Sequence, residues 1–312
     1  MFPSPLRLLF LGTSSFAVPA LRHLANDKRF LVTTVITQPD RPVGRHATLT
    51  PPPVKTTAQE LKIPVLQFEH VKKDDAWDIL KELHADVGVV ASFGQIIPQR
   101  LLDLPRLGMV NIHTSLLPLY RGASPIAEAI KNGDTETGVT IMKMDALLDH
   151  GPILHVAHET ILPTDTTASL EERLAKLGAE ILPDTLIAYA EGQLTPQEQD
   201  HTKATSVKLL SREDGQLDWQ KTAEELERLV RAYHPWPGTF TMLDGKRLKI
   251  FKTLVGPTSS RSPGSRFMTD QLPCITAGQN TSLCLLEVQP EGKAMMTGEA
   301  FLRGNMHWET VH

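Results

Sequence analysis

At 312 residues the chain is long for a single core and suits two domains. Hydrophobic residues make up 41% and charged residues 22%, the balance of a soluble globular protein, and a formal net charge of -4 excludes a molecule drawn as a whole to nucleic acid. The average hides a split: residues 1–204 carry 19 Lys/Arg against 24 Asp/Glu and residues 205–312 carry 13 against 12, so a phosphate-bearing partner would be held by local patches.

Leu6–Leu11 reads as a first strand; it is too short for a signal or membrane segment, so a cytoplasmic protein without a membrane association is expected. Val18–Ala25 is helical, Leu31–Thr37 strand-like, and Val54–Leu61 helical with Pro51, Pro52 and Pro53 at its entry. Trp77–Leu83 is helical, Asp86–Ser92 a buried strand, Gln95–Leu102 helical and Met109–His113 strand-like. Val139–Met144 and Ile153–Ile161 read as the last two strands, and Leu170–Ala190 as a long helix bent at Pro183. Such alternation predicts an α/β domain over residues 1–190, with an open, mostly parallel, Rossmann-like sheet covered on both faces. The polar stretch 191–208 reads as a linker. In 209–312 one helix, Ala223–Tyr233, precedes short strand-like pieces at Thr239–Leu243, Arg247–Leu254, Ser282–Gln289 and Gly298–Arg303, which predicts a small OB-like β-barrel.

The densest chemistry lies at Asn111-Ile-His113-Thr-Ser115-Leu116-Leu117-Pro118, after the apolar run Leu107-Gly-Met-Val110. Strand alternation sends Asn111 and His113 to one side, where an amide that holds an oxyanion and an imidazole that moves a proton would face one point. A carboxylate is needed to orient the imidazole, and Asp145 and Asp149 lie together in a predicted loop. Spacing does not choose between them; the His-Gly-Pro after Asp149 favours it.

Other chemistries find less support. Gly12-Thr-Ser-Ser-Phe16 lacks the G-x-G-x-x-G pattern, so no nicotinamide or flavin is expected. His150, His155 and His158 do not form a ligand pattern, and no metal is expected. There is no G-x-S-x-G elbow for a serine nucleophile. Cys274 and Cys284 are too few for a disulfide framework and suit a reducing compartment.

Two basic features stand out. Residues 38–55 form a long loop with Arg41 and Arg45, and Lys246 to Arg266 holds Lys246, Arg247, Lys249, Lys252, Arg261 and Arg266 with no acid. One per domain would suit a large anionic ligand, although each also reads as a merely solvated loop or edge.

Taken together, these motifs make the chain resemble the methionyl-tRNA formyltransferase family almost end to end. The resemblance is carried by Thr37-Gln-Pro-Asp-Arg-Pro-Val-Gly-Arg45, Asn111-Ile-His113-Thr-Ser-Leu-Leu-Pro118, Arg121-Gly122-Ala-Ser-Pro-Ile126, Thr137-Gly-Val-Thr-Ile-Met142, Leu148-Asp149-His-Gly151 and His234-Pro-Trp-Pro237. It implies 10-formyltetrahydrofolate as formyl donor, initiator methionyl-tRNA as partner, catalytic Asn111, His113 and Asp149, and folate contacts at Ser115, Leu116, Leu117 and Pro118. It also implies a tRNA-contacting 38–55 loop, though His46-Ala-Thr-Leu stands where family members often carry lysines. A monomer is expected. The competing readings are a formyltransferase for an amino sugar nucleotide, a formyl-folate hydrolase and a non-catalytic RNA-binding protein.

Overall fold

Leu6–Gly12 forms a strand, β1, buried at every position except Arg7, as expected of a strand covered on both faces. The computed structural model describes residues 5–44, 47–305 and 308–309. After β1 come α1 (Val18–Asn26), β2 (Phe30–Thr37), β3 (Arg41–Val43), β4 (Thr48–Thr50), α2 (Pro53–Glu60), β5 (Val65–Gln67), α3 (Asp74–Leu80), β6 (Val87–Ala91) and α4 (Gln99–Leu102). Then follow β7 (Met109–His113), β8 (Arg121–Gly122), α5 (Pro125–Asn132), β9 (Glu136–Lys143), β10 (Ile153–Thr160), α6 (Thr167–Ala190) and β11 (Ser206–Val207).

The chain divides into two units. One holds the residues up to Gly122 together with Thr137–Thr160 and Glu171–Ser206; the other holds Ala123–Glu136, Ile161–Leu170 and the chain from Val207 onward. The first unit is built on a seven-stranded sheet in the order β10-β9-β7-β6-β1-β2-β5. The strands β5, β2, β1, β6 and β7 run parallel, and β9 is antiparallel to β7. Strand order reverses around β1, which places the carboxyl ends of β1, β6 and β7 at the point where open α/β sheets bind ligands. Behind β7, helix α6 approaches closely: a Cβ on Gly178 would sit 2.9 Å from Ile112 and 3.5 Å from Val139. The Tyr189 hydroxyl donates to the Leu107 carbonyl at 2.9 Å and ties the helix to the chain entering β7.

The second unit adds α7 (Ala223–Ala232), β12 (Thr239–Leu243), β13 (Lys246–Val255), β14 (Arg266–Thr269), β15 (Leu272–Thr276), β16 (Ser282–Pro290), β17 (Met296–Thr297) and α8 (Gly298–Arg303). Helix α7 starts on a capping box between Thr222 and Glu225. The strands form an antiparallel sheet in the order β12-β13-β16-β15-β14, with β17 on β16, and Leu226, Val230, Ile250, Leu285 and Phe301 share its core.

Several local expectations change. Gly298–Arg303 is a helix rather than a strand, because the Thr297 hydroxyl caps it by accepting from the Ala300 N–H. The predicted helix Gln95–Leu102 shortens to Gln99–Leu102, since Pro98 can only begin a helix. The 38–55 loop is not structureless, for β3 and β4 pair within it. Cys274 and Cys284 face each other across β15 and β16 and are bonded, so two thiols give way to one cross-strand disulfide. Within the 191–208 stretch, residues 197–205 are held in the first unit: Gln197 exchanges both backbone hydrogen bonds with Ile153, and the Arg121 N–H donates to the Thr205 carbonyl.

Candidate active site

Strand β7 ends at the carboxyl edge of the sheet, and Asn111 and His113 leave it on the same side, as the alternation requires. Both reach one carboxylate. Asn111 Nδ2 donates to Asp149 Oδ1 at 3.4 Å, and His113 Nδ1 lies 3.6 Å from Asp149 Oδ2. The second distance is longer than a hydrogen bond. The ring's other nitrogen, Nε2, donates to the Tyr120 carbonyl at 3.0 Å, so the imidazole is held at both edges. His113 and Asp149 are nearly removed from solvent, with side chains 6% and 10% exposed, while Asn111 is partly exposed.

Asp149 arrives from the loop between β9 and β10. Lys143 N–H donates to the Pro152 carbonyl and closes that loop at 2.9 Å. A Cβ at Gly151 would collide with the Lys143 carbonyl, so only glycine permits the closure. The two candidate aspartates separate cleanly. Asp145 shapes the loop, accepting from the Leu147 N–H at 2.9 Å and from His150 Nδ1 at 2.7 Å. Asp149 turns inward with a left-handed φ of 48° and accepts from the Gly122 N–H at 2.8 Å through Oδ2.

Two features had no sequence signal that gave them these roles in the site. The tether Tyr120-Arg121-Gly122 supplies a carbonyl to His113 and an N–H to Asp149. Gln199, from the stretch that reads as a linker, is buried and donates from Nε2 to the carbonyls of Asp149 at 2.9 Å and Gly151 at 2.7 Å. Its Oε1 accepts from Arg121 Nε at 3.1 Å and Nη2 at 2.6 Å.

The segment expected to touch folate alternates. Ser115 and Leu117 point inward: the Ser115 hydroxyl donates to the Leu119 carbonyl at 2.6 Å, and the Leu117 N–H donates to Thr140 Oγ1 at 3.2 Å. Leu116 and Pro118 remain partly exposed. Ser115 and Leu117 therefore fix the backbone, leaving Leu116 and Pro118 as the side chains open to a ligand.

The basic residues disperse. Arg41 pairs with the Glu69 carboxylate at 2.7 Å, both side chains more than half exposed. Arg45 lies outside the described residues. At the base of its loop, Lys55 bridges Asp40 at 2.7 Å and holds that carboxyl below its usual range. In the second unit Lys246 and Arg247 join Arg266, Lys293 and Arg303 around a cavity of about 620 Å³ that also holds Asp244 and Glu291. Lys249 lies outside that lining, exposed on β13. Among the described residues no group of three or more His, Cys, Asp or Glu is arranged to hold a metal ion, and no helix is long and apolar enough to cross a membrane.

A doubly wound sheet that presents an amide, an imidazole and a carboxylate at a strand's carboxyl end defines an enzyme of the acyl-transfer class. The chain belongs to the formyl transferase family: the family model "Formyl transferase" matches residues 6–186, and "Formyl transferase, C-terminal domain" matches residues 209–306. It is 47% identical over 302 residues to the methionyl-tRNA formyltransferase of Roseiflexus sp. (strain RS-1), covering 96% of this chain and 93% of that one. To the enzyme of the same name from Geobacter metallireducens it is 43% identical over 299 residues, covering 96% of each chain. Among solved structures, an N-formyltransferase from Helicobacter canadensis shares the fold, with a TM-score of 0.68 over 91% of this chain and 99% of that one at 17% identity.

Proposed function

We propose that the protein transfers the formyl group of 10-formyltetrahydrofolate to the α-amine of methionine esterified to initiator tRNA, giving N-formylmethionyl-tRNA. Relatives of that name at 41–47% identity over nearly the whole chain support the acceptor. The observation that carries the chemistry is the convergence of Asn111 and His113, from one strand, on Asp149, from a loop.

The acceptor amine attacks the formyl carbon. A new C–N bond forms, the carbonyl electrons move to oxygen, and the resulting oxyanion collapses as the bond to the folate nitrogen breaks. Asn111 has one Nδ2 hydrogen directed at Asp149 and a second available to the oxyanion. His113, when it carries two ring protons, places a positive charge beside that oxyanion, with Asp149 opposite to balance it. The folate nitrogen leaves with a proton, which His113 delivers by turning Nε2–H away from the Tyr120 carbonyl, or through a water. Asp149 accepts the proton the amine loses. Leu116 and Pro118 offer the apolar contact that a flat pterin ring takes. Holding the two reactants together contributes as much as proton transfer.

The tRNA is held electrostatically, through Lys246, Arg247 and Lys249 in the second unit and Arg41 and Arg45 in the 38–55 loop. The protein works as a monomer in the cytoplasm. Three parallel incubations with radiolabelled formyl donor test this reading. The label is expected in acid-precipitable methionyl-tRNA; label in an amino sugar nucleotide, or released as formate to water, would refute it.

A further inference from the structure

We infer that Arg121 and Gln199 form a clamp that positions Asp149 for the transfer step. The inference rests on the transferase reading above and concerns residues that brace the loop carrying Asp149. The Gln199 amide is used to capacity. Its two Nε2 hydrogens go to the carbonyls of Asp149 and Gly151, and its Oε1 accepts twice from Arg121. Those four bonds also fix the amide's orientation, because a flipped amide would set NH₂ against guanidinium and oxygen against two carbonyls.

Asp149 needs such a brace. Its φ of 48° is a left-handed backbone conformation that is strained for a non-glycine residue and persists only when neighbours enforce it. Gln199 grips the backbone on both sides of His150, so the strained turn cannot relax without breaking two hydrogen bonds. The ring closes through Arg121, because the next residue, Gly122, gives its N–H to the Asp149 carboxylate at 2.8 Å. Arg121 is itself anchored, its N–H donating to the Thr205 carbonyl at 2.8 Å and its Nη2 to His201 Nδ1 at 2.8 Å. His201 in turn stacks on His150, with ring centroids 4.1 Å apart. One segment, 199–205, thus braces both the tether that holds His113 and the loop that carries Asp149.

Gln199→Ala and Gln199→Glu test the clamp. Both are expected to lower kcat by on the order of tenfold to a hundredfold while leaving KM for donor and acceptor within twofold. The glutamate keeps the shape and the contact to Arg121 but has no hydrogens for the two carbonyls, so it is expected to rescue nothing. A spectroscopic readout needs no substrate: the ring ¹⁵N resonances of His113 should shift in both variants while those of His23, exposed on α1, stay fixed in a well-dispersed spectrum. A parent enzyme that transfers no formyl group would overturn the transferase reading alone, and the His113 shifts would still decide the clamp. Unchanged His113 resonances, a kcat within twofold of the parent, or a loss confined to KM would overturn the clamp.

Discussion

Replacing Asp149 with Asn removes one charge and almost no volume. Oδ2 accepts from the Gly122 N–H at 2.8 Å and faces His113 Nδ1 at 3.6 Å, while Oδ1 accepts from Asn111 Nδ2 at 3.4 Å. Either orientation of the new amide sets its NH₂ against a donor: Asn111 Nδ2 in one, the Gly122 N–H in the other. The lower bound on the loss is one charge-assisted hydrogen bond, about 1.5–3 kcal/mol. The ceiling, reached only where His113 carries both ring protons, is the attraction between full charges at 3.6 Å, about 4.6 kcal/mol at an effective dielectric of 20. Only the share that develops in the transition state slows the reaction. Asp149→Asn is therefore expected to lower kcat by on the order of 10²–10³-fold. The assay is single-turnover formation of formylmethionyl-tRNA with both substrates saturating, alongside thermal melts to establish that the variant is folded. A folded variant within tenfold of the parent would refute the assignment of Asp149 to the reaction.

Further outcomes follow from the charges. The triple variant Lys246→Ala/Arg247→Ala/Lys249→Ala should raise KM for tRNA and leave kcat nearly unchanged. It should also flatten the salt dependence of binding, by roughly one unit of slope for each phosphate that is no longer neutralised. Arg41→Ala should do less, because the Glu69 carboxylate already neutralises Arg41; titrations across a range of salt concentrations measure both. Tyr233 is buried, with Asp214 and Glu128 adding to the effect, and its phenol is pushed up from 10.0 to about 12. Below pH 10 the phenol is neutral in the folded and unfolded chain alike. Between pH 10 and 12 only the unfolded chain ionises, so the stabilisation present below that window is lost as pH rises through it. Melting curves should show the parent losing more stability than Tyr233→Phe across that window; parallel curves would contradict it.

Much of the first unit is legible in the sequence because a strand covered on both faces must be apolar throughout. Met109–His113 reads with its observed limits, for the apolar run ends where Asn111 and His113 turn to Asp149. Short elements are harder. Gly298–Arg303 is too brief for hydrophobic periodicity to separate strand from helix, though Thr297 as a cap carries the answer. Asp145 and Asp149 are equivalent by spacing and differ only through loop closure at Gly151. Gln199 is hidden for another reason. A glutamine in a polar stretch beside proline and glycine looks solvated, and only the return of residues 197–205 onto the first unit buries it. Charge patterning locates the basic strand β13 but not Lys293 and Arg303, which folding brings to the same cavity from far along the chain.

The proposed reaction centres on one amide and one imidazole, Asn111 and His113, two residues apart on β7 and assigned to the same oxyanion. The most direct measurement is the single-turnover rate of formyl transfer to methionyl-tRNA for Asn111→Ala, His113→Ala and the double variant. Each single change should cost on the order of a hundredfold or more, and the double variant should be faster than the product of the two losses predicts, as for groups that work as a unit. A folded Asn111→Ala enzyme at near-parent rate, or losses that multiply independently, would contradict it.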